Sequence, residues 1–160
     1  MLVDSHCHLN FPEFTENIHA VRQLMHDSQV GHALCVSVTL DKFPEVLKLA
    51  ESFDNFYASV GVHPDYEDIE EPSVEALFQL SQHPKVVAIG ETGLDYFRLT
   101  GNLEWQRERF RTHIRAAILA NKPSKRCRAV HSCGKTIFNG NAKVNKAFRR
   151  LPPTNTQALC

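Results

Sequence analysis

The sequence predicts an α/β fold of repeating β-α units, either an open doubly wound sheet or a TIM-barrel-like (β/α)8 arrangement of which residues 1–123 supply the first four units. Two observations carry this. Four short, nearly continuous apolar runs at residues 2–4, 33–38, 57–62 and 86–90 have the pattern of parallel strands covered on both faces. Each is followed by a segment of helical period, as parallel strands require a crossover. A third consideration is length, since 160 residues suit one domain with its own core.

The first helix places Ile18, Val21, Leu24 and Met25 on one stripe, and the second Val46, Leu47, Leu49 and Ala50. A third spans about residues 74–82. The fourth is the longest, with Leu103, Phe110, Ile114, Ala117 and Ile118 on an apolar face and Glu104, Arg107, Glu108, Arg111 and Arg115 largely elsewhere. It is expected to end at Asn121, because Pro123 restricts the residue before it.

Beyond Pro123 the pattern changes. The whole chain has a formal charge of zero, but residues 1–123 carry −8 and residues 124–160 carry +8 with no carboxylate. The second stretch reads as an irregular, basic, disordered tail, and the boundary at 123/124 divides the chain into an N-terminal half-barrel and that tail. No run approaches the ~20 apolar residues that cross a bilayer, and no signal-type segment opens the chain. The five cysteines, Cys7, Cys35, Cys127, Cys133 and Cys160, are irregularly spaced and fit a reducing compartment. A cytoplasmic protein with no membrane partner is expected.

Three segments could carry chemistry. Asp4-Ser5-His6-Cys7-His8 ends the first run, and because side chains alternate along an extended chain, His6 and His8 point the same way. They read either as a hydrogen-bonded surface pair or as ligands of one ion. Gly61-Val62-His63-Pro64 ends the third run, with His63 held extended by the proline, as a turn histidine or as a site residue. Gly90-Glu91-Thr92-Gly93-Leu94-Asp95-Tyr96 follows the fourth, with Glu91 at the strand edge. The C-terminal ends of parallel strands share one face, which carries the active site in such folds, so the convergence favours a metal site.

These blocks, together with the opening Leu2-Val3-Asp4-Ser5-His6-Cys7-His8-Leu9, closely resemble the TatD family of metal-dependent deoxyribonucleases, in the family's order and separations, from residue 1 to about Pro123. The resemblance implies a (β/α)8 barrel with two divalent ions per complete site, zinc, manganese and magnesium being undistinguished. His6 and His8 would bind one ion, Glu91 would bridge both as the catalytic carboxylate, and His63 would contact substrate phosphate. The implied reaction is hydrolysis of phosphodiester bonds in DNA, with RNA a further substrate, by a metal-activated water.

The family's remaining ligands, a His at the end of strand five, another after strand six and an Asp near strand eight, do not appear in this sequence. The tail's only histidine is His131, weighed as a surrogate ligand. Residues 124–160 are therefore expected to come from a frameshift, altered splicing or an early stop, leaving a truncated half-barrel whose open edge invites self-association. Alternative readings are a catalytically inactive fragment, a nucleic-acid-binding protein using its basic tail, an amidohydrolase acting on an amide or ester, and a zinc module of Cys127, His131 and Cys133.

Overall fold

A computed structural model of the chain describes residues 1–128 and 135–137. Strand β1 (Leu2–Cys7) leads through a short helix α1 (Pro12–Thr15) and α2 (Ile18–Asp27) to β2 (Val30–Val36). Then follow α3 (Phe43–Glu51), β3 (Phe56–Val60), α4 (Val74–Ser81), β4 (Val86–Leu94), α5 (Glu104–Ala120), β5 (Ser124–Arg128) and β6 (Lys135–Ile137).

The sheet order is β1-β2-β3-β4-β5-β6, parallel throughout except for the antiparallel β5–β6 pair. Each parallel strand is added beside its predecessor with no reversal of direction across the sheet. A doubly wound sheet has such a reversal and a barrel does not, so the arrangement is a five-strand parallel arc of a TIM-barrel-like fold with helices outside.

The helices form where the apolar period and end signals agree. Ser73 caps α4, its Oγ accepting from the Ala76 amide at 3.0 Å, and Pro44 stands in the first turn of α3 where its missing amide costs nothing. α5 stops at Asn121, which adopts a left-handed φ of 51°. The core lies between sheet and helices. Ala33, Cys35, Phe56, Ala58, Val60, Val86 and Ile89 from the strands meet Phe43, Val46, Ala50, Leu77, Ala116 and Ala117 from the helices. The alternate residues of β2, Leu34 and Val36, join Val87, Ala88 and Tyr57 in a smaller cluster on the other face.

The sequence reading needs three corrections. First, the regular fold does not end at Pro123. β5 occupies Ser124–Arg128, with Ile89 donating to the Pro123 carbonyl at 2.9 Å and the ladder continuing beside β4. Backbone pairing needs no apolar side chain, so a polar sequence can complete a ladder its neighbour offers. Residues 124–128 are therefore a strand and not irregular. Second, β4 runs to Leu94, which places Glu91 within the strand rather than just past it.

Third, the inward face of α5 is only in part the apolar one expected: Leu103 and Ala117 are buried, but polar residues share that face. Ile118 is 63 % exposed and Ile114 36 %, whereas Gln106, Arg109 and His113 are buried. Their i, i+3, i+7 spacing is a helix face, and each is hydrogen-bonded to backbone it covers, which removes the usual penalty of burying polar groups. His131, and the proposed zinc module with Cys133 and the side chain of Cys127, lie outside the described residues.

Candidate metal centre

β1 brings Asp4, His6 and His8 to one side of the strand by simple alternation, while Cys7 points to the other and packs in the core. The Cys7 thiol lies 3.9 Å from that of Cys35, and that contact together with burial raises its pKa, so it is a protonated, inert thiol rather than a nucleophile. Asp4 accepts from the His6 amide at 2.9 Å, tying the first histidine's backbone. His8 is held by a contact of 3.2 Å between Nδ1 and the Val36 carbonyl, which orients the ring from β2.

Glu91 reaches the same place from β4. Its residue is 3 % exposed, and its amide donates to the Ser37 carbonyl at 3.2 Å. One Glu91 oxygen lies 3.4 Å from His6 Nε2 and the other 3.7 Å from His63 Nε2. The His6 and His8 rings stand edge to face with centroids 5.1 Å apart. His6, His8 and Glu91 each offer a ligand atom, and these atoms all lie within 4.8 Å of one another. This is a spacing one divalent ion can span with small side-chain shifts, and imidazole with carboxylate is a donor set that zinc and manganese accept. Burial, above any neighbouring charge, pushes the His6 pKa down to about 4, so the imidazole is neutral and able to ligate at neutral pH.

His63 is brought in from the loop after β3. Its Nδ1 is bonded to the Asp65 carboxylate, an arrangement that fixes ring and tautomer and turns Nε2 toward Glu91. Asp65 was not singled out from the sequence. Its signal is the offset of two from His63 across a proline, a short turn that lets a carboxylate fold back on the ring.

The loop is itself held from α5. His113, fully buried, accepts the Val62 amide on Nε2 at 3.0 Å, and its Nδ1 contacts the Arg109 carbonyl at 2.8 Å. Arg109 donates to the His63 and Tyr66 carbonyls at 3.1 and 2.6 Å and pairs with both oxygens of Glu71 at 2.8 and 2.6 Å. Gln106 donates to the Pro64 carbonyl at 3.0 Å and accepts from the Asp95 amide at 2.9 Å. Asp95 closes its own turn, accepting the Phe97 and Arg98 amides at 3.0 Å each. Burial works to raise the Asp95 pKa, but these amides and the Arg98 guanidinium outweigh it and hold the carboxylate below its ordinary value.

Glycine matters at Gly90, which has φ of +134° and carries β4 past β5. A Cβ there would run into the Lys125 carbonyl oxygen. Gly61 serves the same close approach on the other side, since its Cβ would fall 2.5 Å from Gly90 Cα.

A parallel barrel arc gathers histidines and a buried carboxylate that could hold a metal ion near the C-terminal ends of its strands. The family described as TatD related DNase matches residues 3–125, and the chain belongs to that family. It is 36 % identical over 125 residues to a metal-dependent hydrolase of Buchnera aphidicola subsp. Baizongia pistaciae, covering 76 % of this chain and 47 % of the relative. Against the Escherichia coli 3'-5' ssDNA/RNA exonuclease TatD it is 30 % identical over 139 residues, covering 86 % of this chain and 54 % of that one. The crystal structure of the Escherichia coli TatD homolog YjjV superposes with a TM-score of 0.70 at 32 % identity, over 78 % of this chain and 49 % of that chain. The chain thus spans about half the length of the curated relatives it matches. No helix among the described residues is long and apolar enough to cross a membrane.

Proposed function

We propose that this chain carries the first metal position of a TatD-type hydrolase of phosphodiester bonds, with DNA as substrate and single-stranded RNA as a second polymer of the same chemistry. The observation that carries this is the meeting of His6, His8 and Glu91 at the ends of β1 and β4. In this reading these three hold a divalent ion, and Glu91 is also the catalytic carboxylate. Such an ion supplies a deprotonated water near neutral pH and offsets charge on the phosphate.

The protein's own groups do the rest. His6, kept neutral by burial, presents a lone pair without a proton to displace, and the Val36 carbonyl orients the His8 ring beside it. His63, oriented by Asp65, is the group for the substrate phosphate. The α5 residues Gln106, Arg109 and His113 hold the 61–66 loop so that His63 keeps its place. Residues 1–123 are strongly acidic, so a polyanion reaches this site through the bound ion and local cations such as Arg98 rather than through a broad basic face.

The relatives' additional length is compatible with a second reading, in which this chain holds metal and substrate without turning over. Purified chain with Mn2+ and a labelled single-stranded oligonucleotide distinguishes them. Release of nucleotides that disappears in both His6→Ala and Glu91→Gln supports the hydrolase, and binding without release supports the second reading. Cytoplasmic location and self-association through the open sheet edge belong to the same proposal, and size-exclusion chromatography with light scattering tests the latter.

A further inference from the structure

Among the described residues the exposed large aromatics are Phe11, Phe14, Tyr66, Tyr96 and Phe97, and all of them lie in the segments that follow β1, β3 and β4. Apart from Met1, the exposed aliphatic side chains lie instead on α2 and α5, as Leu24, Ile114, Ile118 and Leu119. The C-terminal ends of parallel strands share one face, so the exposed rings gather on the face that holds His6, His8 and Glu91. A surface that only sheds apolar area has no reason to exclude aliphatic side chains. A nucleobase offers a flat π-face, which an aromatic ring meets and an aliphatic chain does not.

Two of these rings touch the histidines of the site. Phe11 lies flat against His8, with centroids 5.2 Å apart and an interplanar angle of 11°. It stands at the N-cap of α1, where a short polar side chain would satisfy a free amide, and it makes no such bond. The position is thus given to a ring that covers His8 and is still 38 % exposed. Tyr66 meets His63 edge to face at 6.3 Å. Phe97, 82 % exposed, belongs to the loop after β4, which its neighbour Arg98 ties to Asp65 at 3.5 Å, and Asp65 in turn holds His63. Because His6 and Glu91 are 3.4 Å apart, the curl of the sheet brings the β1 and β4 loops to the same cluster from different strands.

We propose that Phe11 and Phe97 stack nucleobases beside the ligand cluster, so that nucleotides next to the bound phosphate are gripped by their bases. Tyr66 borders the same rim from the β3 loop, between the other two in strand order. Phe11 and Phe97 are in this sense substrate-specificity residues for an unpaired strand, since only unpaired bases expose a π-face to a side chain. The proposal rests on the reading of the cluster as a site for phosphodiesters.

Fluorescence anisotropy with the full chain, Mn2+ and labelled four-residue oligomers tests it, one of thymidines with cleavage-resistant phosphorothioate links and one abasic with the same links. The wild type should bind the thymidine oligomer at least about fivefold more tightly than the abasic one. Phe97→Leu and Phe11→Leu should each lose at least about fivefold for the thymidine oligomer, and Phe97→Tyr, which keeps the ring, should bind as the wild type does. Phe97→Leu should leave abasic binding within about twofold. Equal wild-type affinity for the two oligomers, or equal losses for both in Phe97→Leu, would overturn the proposal. So would unchanged thymidine binding in Phe97→Leu with loss of self-association in light scattering, which would assign the ring to a second copy of the chain. Abasic binding that needs Mn2+ and disappears in His6→Ala keeps the metal reading standing whichever way the bases decide, whereas no Mn2+-dependent binding of either oligomer removes both. The wild-type comparison decides even if Phe11→Leu does not fold.

Discussion

His113 makes stability depend on pH in a way that one substitution should remove. The ring is fully buried, accepts the Val62 amide on Nε2 and holds its Nδ1 proton against the Arg109 carbonyl, so a second proton would have to replace an accepted bond with a clash of donors. Burial, as the largest cause, lowers its pKa from 6.5 to about 4. The unfolded chain therefore binds more protons than the folded one between those values. The stabilisation is complete above about pH 6.5 and is lost as the pH falls toward about 4. The whole difference corresponds to about 3 kcal/mol, of which about 2–3 kcal/mol is lost by about pH 4.5. His113→Gln can keep both hydrogen bonds, its carbonyl accepting from Val62 and its amide donating to Arg109, but does not titrate. Urea unfolding followed through Trp105, the chain's one tryptophan, at about pH 7 and about pH 4.5 gives the comparison. The variant should start about 1–2 kcal/mol less stable at neutral pH and lose about 2–3 kcal/mol less on acidification than the wild type. His6 and the other titrating groups are common to both proteins and cancel in that difference. Equal losses in the two would refute the role assigned to His113.

Other substitutions test other parts of the account. Gly90→Ala should cost at least about 2 kcal/mol in urea unfolding, and more than Gly101→Ala, because a Cβ at Gly101 meets nothing within 4 Å although its φ is also positive; equal costs would mean that the β4–β5 approach is not tight. Arg109→Met leaves the His63 and Tyr66 carbonyls and Glu71 without their shared donor, with an expected loss of about 2–3 kcal/mol and faster amide hydrogen exchange around residues 61–66. Unchanged exchange there would place the Arg109 effect elsewhere. Glu91→Gln should weaken Mn2+ binding by at least about tenfold in calorimetric titration, and unchanged affinity would remove Glu91 from the ligand set.

The β-α order and the gathering of His6, His8 and Glu91 were legible in the sequence for the same reason. Strands buried on both faces must be continuously apolar, so Val86 to Ile89 announces itself, and polar residues that follow such a run stand out. Alternation then puts His6 and His8 on one side without any knowledge of the fold. The polar part of the inward face of α5 was not legible, because reading a helix by apolar period assigns Gln106, Arg109 and His113 to solvent. Only the loop carbonyls and amides they meet, far away in sequence, make their burial favourable. β5 was hidden likewise, since Ser124, Lys125 and Arg126 carry no strand signature and pair because β4 offers an open ladder beside them.

The central claim is that His6, His8 and Glu91 form a binding site for a divalent ion, and anomalous diffraction from crystals of the chain grown with Mn2+ tests it most directly. The account predicts a manganese peak within bonding distance of all three side chains. A well-diffracting crystal whose only manganese lies away from them, or that holds none, would contradict it.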